Sequence, residues 1–354
     1  MRKSIRMADA QRHDQVGPSA RSVVVTGASR GLGFVTAVRL YREGWRVVAA
    51  MRTPEKGMPL LREAADAGID DDRLISVQLD LLDAESIAAA AKAIDAAVGP
   101  PFAIVHNAGI AAAGMVEETS MDLWQDMLTT HLIGPVALTK ALLPAMRAAG
   151  RGRIVLISSA GGVRGQPAIA PYSAAKGALE RWGESMAGEI ASFGIGVTIL
   201  VPGVYDTDII TDAGTTDERD FGGPYGGLHR TIDQRGRFAM KIARPPERFT
   251  DDVVKALDDQ GPFCRRGAGA DASMLLFGNR ILPPIAMHHV SRIVMGIPGF
   301  AKMRGGAPPL TFSQRLMISA AQKLPPPVMQ RLITVVMWAS SVKQKLGKRQ
   351  QAEA

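Results

Sequence analysis

The feature that most limits what this chain can fold into is an alternation, from Arg21 onward, of short β-branched runs with longer stretches of helical spacing. Residues 23–25, 46–49, 74–77, 102–105, 153–157 and 197–201 read as strands dominated by apolar residues. Between them, 33–43, 84–98, 121–149 and 172–193 repeat apolar residues at helical intervals. Solidly apolar strands need cover on both faces, and strands joined through helices run parallel. The expected fold class is therefore α/β, a single doubly wound parallel sheet with helices on both faces and right-handed crossovers.

After Pro202-Gly203 the regularity fades. Residues 210–235 are rich in Gly, Asp and Thr, which suits a long surface excursion or lid. Residues 249–259 look helical again, and 275–294 carry apolar residues around Pro283-Pro284. Gly305-Gly306-Ala307-Pro308-Pro309 reads as a linker, and Pro325-Pro326-Pro327 as the start of a last helix. The expected organisation is a flexible tail over 1–20, a main domain over 21–304 with a substrate lid around 204–300, and a basic helical extension over 305–354.

Composition removes several function classes. With 46% hydrophobic and 21% charged residues, the chain is not disordered throughout. Cys264 stands alone, so no disulfide scaffold exists, and a reducing compartment is expected. The net charge of +8 belongs to the C-terminus: residues 302–354 hold nine of the 42 basic side chains and one of the 34 acidic ones, leaving 33 of each before them. The main domain is thus neutral, and with 5% aromatic residues it offers no nucleic-acid signature. His288-His289 has no clustered acids or cysteines nearby, so no metal is expected. The first 22 residues lack the apolar core of a signal peptide, and 332–342 is about half the ~20 residues a spanning helix needs. A cytoplasmic protein is expected, with an option at the inner face of a membrane. Val328, Leu332, Val335, Val336, Ala339, Val342 and Leu346 fall at helical spacing, beside Trp338 and before Lys343, Lys345, Lys348 and Arg349. That pattern suits a helix on an anionic membrane surface, or one that docks on the domain or a second subunit with a solvated basic end.

The run Thr26-Gly27-Ala28-Ser29-Arg30-Gly31-Leu32-Gly33 follows the first strand and opens the first helix. Glycines there let backbone N–H groups approach a pyrophosphate, which the positive helix end favours, although a tight turn needs similar residues. Adenine dinucleotides with a bare ribose call for a carboxylate at the end of the second strand. This chain has Ala50-Met51-Arg52 there, with no acid before Glu55. Arg30 and Arg52 suit a 2′-phosphate through charge-assisted hydrogen bonds, the alternative being two solvated surface charges. NADP(H) is expected in preference to NAD(H). Asp80, with Leu81 after it, is placed for the adenine amino group. Asn107-Ala108-Gly109 follows the fourth strand, where small residues permit close approach, or where Asn107 makes a simple turn.

Ser159 ends the fifth strand, and Tyr172 and Lys176 stand one helical turn apart on one face. This set suits carbonyl reduction or alcohol oxidation: Tyr172 as general acid/base, Ser159 on the substrate oxygen, Lys176 lowering the phenol and holding the nicotinamide ribose. A three-unit drop in the phenol requires ~4 kcal/mol. One cation at ~4 Å in an effective dielectric of ~20 supplies about that.

In Thr26–Gly33, Asp80, Asn107–Gly109, Ser159, Tyr172–Lys176, Pro202-Gly203 and Thr207, from about Ser22 to Leu282, the sequence resembles the short-chain dehydrogenase/reductase family. Glu247-Arg248-Phe249, 266–272 and Leu282-Pro283 resemble its retinol dehydrogenase and 17-beta-hydroxysteroid dehydrogenase branch. The resemblance implies a Rossmann-type sheet of about seven strands, hydride exchange with a nicotinamide, and a dimer or tetramer. It also implies that the backbone near Val204 and the Thr207 hydroxyl meet the carboxamide, and that the substrate is a large apolar alcohol or ketone such as a retinoid, steroid or fatty-chain compound. One position departs: where the family carries a proton-relaying Asn, this chain reads His131-Leu132-Ile133-Gly134. Imidazole has one donor and one acceptor, so His131 is a candidate relay or else a structural histidine. Two other readings stay open, a weakly catalytic NADPH-binding sensor or scaffold, and a reductase of small polar or acyl-thioester carbonyls.

Overall fold

The computed structural model describes residues 21–68, 71–207, 215–300 and 302–303. The expected flexible tail over 1–20 and the whole of the expected basic extension over 305–354 lie outside those residues. In chain order the first half comprises β1 (Ser22–Thr26), α1 (Gly31–Arg42), β2 (Arg46–Met51), α2 (Pro54–Ala65), β3 (Leu74–Gln78), α3 (Ala84–Val98), β4 (Ala103–His106), β5 (Ala111–Ala113) and α4 (Met121–Leu128). The second half comprises α5 (Gly134–Ala148), β6 (Gly152–Ile157), the one-turn α6 (Ala160–Val163), α7 (Ala170–Ile190), β7 (Ile195–Pro202), β8 (Thr215–Asp217), α8 (Gly226–Met240), α9 (Glu247–Leu257), β9 (Phe263–Ala268), α10 (Ala270–Ile281) and α11 (Pro284–Met295).

Seven of these strands form one parallel sheet in the order β3-β2-β1-β4-β6-β7-β9. Strand side chains alternate between faces, and the two cores follow that period. Val23, Val25 and Val47 pack with α1, α2 and α9 on one side. Val24, Val48 and Ile104 pack with α3, α5 and α7 on the other. Connections turn one way from β1 and the other way from β4, so a crevice opens between the carboxyl ends of these neighbours, where such folds take their ligands.

Four local outcomes differ from the sequence expectation. The seventh strand, β9, reads Phe-Cys-Arg-Arg-Gly-Ala and shows no apolar run, because it lies at the sheet edge and pairs only with β7. The expected helix over 121–149 is interrupted by a π-helical turn, Thr129–Ile133, which contains His131. Residues 54–65, unassigned by the sequence, form α2. Part of the expected irregular lid is helical, as α8, and β5 pairs with β8 in a separate two-stranded sheet. His229 of α8 is fully buried, and its Nε2 stands 2.8 Å from both carboxylate oxygens of Glu118. This pair ties the lid helix to the segment between β5 and α4.

Candidate active site

The dinucleotide loop is built by close approach of backbones. Gly27 has φ +69° and its N–H donates to Ala50 O at 2.8 Å, which docks the loop on the end of β2. A Cβ there would lie 2.7 Å from Ala108 Cα. A Cβ on Gly33 would lie 2.3 Å from both Gly27 O and Asn107 Nδ2. Asn107 Nδ2 donates to Thr26 O at 3.0 Å, while Thr26 Oγ1 accepts from the N–H groups of Asn107 and Ala108, each at 3.0 Å. Asn107 therefore laces β4 to the loop, which is more than a turn residue does. Helix α1 begins with no side-chain cap and no acid in its first turn, so its positive end is left for an anion. These residues fit an adenine dinucleotide.

Around the loop the remaining candidates separate. Ser29, Arg30 and Arg52 are exposed, and Ser29 lies beside Gly57 of α2, close to Met51, so the loop borders the end of β2 where Arg52 follows. Gly31 has φ +57°, and Thr207 packs over its α-carbon, so Thr207 reaches the cleft. Leu32 packs against the core beneath the loop. The Asp80 carboxylate accepts from Leu82 N at 3.0 Å, and Leu81 is buried against Gly134. At Val204, where the resemblance implies backbone near the carboxamide, the N–H donates to Asp271 at 2.8 Å and the carbonyl accepts from Arg244 N. The same Asp271 carboxylate crowds Gly203, just after Pro202, where a Cβ would lie 2.1 Å from it. In sequence Asp271 stands out only as part of the resembling stretch 266–272, because nothing local points back to residue 203.

The catalytic set converges. Ser159 caps α6, its Oγ accepting from Gly161 N at 3.2 Å, and its hydroxyl lies near enough to the Tyr172 phenol to favour its ionised form. Lys176 is buried, its Nζ donates to Ile157 O at 2.7 Å, and it stands 5.8 Å from the Tyr172 ring centroid. The electrostatics correct one expectation. Burial raises the Tyr172 phenol above its ordinary value, opposed by the nearby Ser159 hydroxyl. Burial also lowers the Lys176 ammonium to about 7, opposed by Glu180. The cation meant to acidify the phenol is itself disfavoured by the same desolvation, so near neutrality it is only partly charged.

His131 is 1% exposed and stands edge-on to Tyr172, with ring centroids 5.2 Å apart at 90°. Its Nε2 lies 2.8 Å from Ile110 O, which assigns the proton to Nε2. Burial, with Lys176 adding to it, holds the ring neutral, well below the usual imidazole range. Its Nδ1 is buried with no hydrogen-bond partner. A Cβ on Gly109 would lie 2.6 Å from His131 Cε1, so that glycine is required by the histidine itself.

Comparison with known proteins agrees with this geometry. Residues 21–218 match the family model for short chain dehydrogenase. The chain is 39% identical to the uncharacterized oxidoreductase YusZ of Bacillus subtilis over 186 residues, spanning 52% of this chain and 65% of that protein. A short-chain dehydrogenase from Streptomyces avermitilis superposes with TM-score 0.66 at 30% identity, over 78% of this chain and 96% of that one. A putative NAD(P)-dependent gluconate 5-dehydrogenase from Beutenbergia cavernae, with bound NADP, gives TM-score 0.58 at 29% identity, over 70% and 94%. A doubly wound sheet, a glycine cradle at its switch point and a Ser–Tyr–Lys set beside it therefore agree with the match over more than half of the chain: the protein belongs to the short-chain dehydrogenase/reductase family of NAD(P)-linked oxidoreductases.

Proposed function

We propose that this protein is an NADP(H)-dependent oxidoreductase that interconverts a hydroxyl and a carbonyl on a lipophilic substrate, a retinoid, steroid or fatty-chain compound. The observation that carries the substrate class is a cavity of about 350 Å³ lined mostly by apolar residues, Met115, Val116, Pro167, Ala168 and Ala170, with Tyr225 and Glu117. It borders the start of α7 through Ala170, two residues before Tyr172, and its largely apolar lining suits an apolar body. Nicotinamide, when bound, gives or takes the hydride. Tyr172 gives or takes the proton, Ser159 orients the oxygen, and Lys176 holds the ribose. His131 is the relay acceptor through its unfilled Nδ1. Screening NADPH oxidation against retinoid, steroid and long-chain carbonyls should find turnover there; turnover confined to small polar or acyl-thioester carbonyls overturns the substrate class. His131→Ala should slow turnover of the compound found while leaving NADPH affinity unchanged.

The cofactor preference rests on Arg30 and Arg52 beside the end of β2, with no acid between Met51 and Glu55. Replacing Arg52 by Ala removes a hydrogen bond to a charged group, ~1.5–3 kcal/mol. NADPH affinity should fall ~10–100-fold while NADH affinity stays constant, measured by nucleotide fluorescence. Tighter NADH binding by the unaltered protein overturns the preference.

A second reading, peripheral contact with an anionic lipid surface, is favoured by several exposed apolar residues of α10, α11 and the segment after them. Phe277 and Ile281 of α10, Ile285, Val290 and Val294 of α11, and Phe300 are all exposed. Residues 272–303 also carry Arg280, Arg292 and Lys302 but no acid. Apolar area with cations suits the interface of an anionic bilayer. No helix among the described residues is long and apolar enough to cross a membrane. Ile285→Ser/Val294→Ser should reduce co-sedimentation with phosphatidylserine vesicles; equal pelleting, or equal binding to neutral vesicles, counts against it. The expected dimer or tetramer is retained as part of the proposal.

A further inference from the structure

The end of β6 and helix α7 are joined residue by residue. Ile157 O accepts from Lys176 Nζ at 2.7 Å, Ser158 Oγ donates to Glu180 Oε1 at 2.6 Å, and the Ser159 hydroxyl meets Tyr172. Three consecutive residues, the last of β6 and the two that follow it, thus hold three side chains on one face of one helix, spaced by single turns. The catalytic motif accounts for the first and third. The middle pair is buried, with Glu180 1% and Ser158 3% exposed.

A carboxylate this deep needs a partner. Arg265 supplies it from the edge strand β9, where it lies opposite Ile199 of β7 and reaches Glu180 Oε2 with Nη2. Arg181 of the same helix stands farther off, 4.0 Å from that oxygen, and Glu184 adds a like charge. The titratable groups facing Lys176 are Tyr172 and Glu180 on its own helix, His106 from β4 and His131 from the π-helical turn. Both histidines are held neutral by burial, so the charge that faces the lysine is that of Glu180.

We propose that Glu180 is a positioning residue for the reaction: as the buried counter-charge one turn beyond Lys176 it favours the ammonium form of that lysine, and Ser158 and Arg265 hold it in place. This explains why an arginine occupies an inward position on an edge strand. It rests on the reading of Lys176 as the ribose-holding lysine. The burial that lowers the lysine to about 7 is opposed by Glu180, so removal of the carboxylate leaves the ammonium without compensation.

The test is NADPH affinity, by fluorescence titration, across the neutral to alkaline range. In the unaltered protein affinity should weaken as pH rises through about 7, and Lys176→Met should abolish that limb. Glu180→Gln should move the midpoint down by about one pH unit or more, while Glu180→Asp restores it. Because Glu180→Gln strands Arg265, the double variant Glu180→Gln/Arg265→Met is included. It should recover thermal stability yet keep the lowered midpoint. An unmoved midpoint in Glu180→Gln, or a double variant that restores midpoint and stability together, overturns the role of Glu180. A pH limb that survives Lys176→Met instead removes the ribose-holding role of Lys176, and the proposal with it.

Discussion

Replacing Tyr172 by Phe should lower turnover ~10²–10⁴-fold, the usual contribution of a positioned general acid or base. The ring packs edge-on against His131, and that contact survives the change. The lost atom is the phenol oxygen beside Ser159. NADPH affinity should therefore stay unchanged while kcat collapses, a split that steady-state kinetics alongside nucleotide fluorescence resolves. Retention of most of the turnover would remove Tyr172 from its role. The pH dependence has a sign as well. A phenol raised by burial holds its proton through neutrality, which suits it to protonate a carbonyl oxygen. Alcohol oxidation needs the deprotonated phenol, so its rate should climb with pH on the alkaline side while carbonyl reduction declines there.

The second large effect is at Gly33. An alanine there would press its methyl group to 2.3 Å from both Gly27 O and Asn107 Nδ2, one of them backbone that cannot step aside. Overpacking of this kind costs ~1–3 kcal/mol. Relief must come from moving the loop off Asn107, which displaces the N–H groups that face the pyrophosphate. Gly33→Ala should thus lower thermal stability and weaken NADPH binding at least ~10-fold together, the latter about 1.4 kcal/mol. Gly68 offers the contrast: its Cβ would meet nothing within 4 Å. An alanine at Gly33 that binds NADPH normally would show that the loop does not close on the cofactor as drawn.

Much of the site was legible because its chemistry is local in the chain. The glycine loop announces itself since a pyrophosphate needs bare backbone between a strand and a helix. Tyr172 and Lys176 announce themselves through helical spacing. Other functional groups were silent. Glu180 looks like any helix carboxylate until β9 brings Arg265 against it, and Arg265 looks like a surface charge until it lies opposite Ile199. Asp271 serves Val204 across 67 positions of sequence. Gly109, in a stretch whose small residues permit close approach, also leaves room for the His131 ring, which its neighbours in sequence do not reveal.

The alternation of strand and helix, the two-sided burial of β1 and β4 and the glycine cradle followed from residue order, because each depends on side chains within a few positions of one another. Protonation did not. The same lysine and tyrosine spacing would serve a lowered phenol or a raised one, and burial decided for the raised phenol and a lysine near neutrality. Desolvation depends on everything packed around a group, from β4, β6, β9 and the π-helical turn alike. That neighbourhood exists only once the chain has folded.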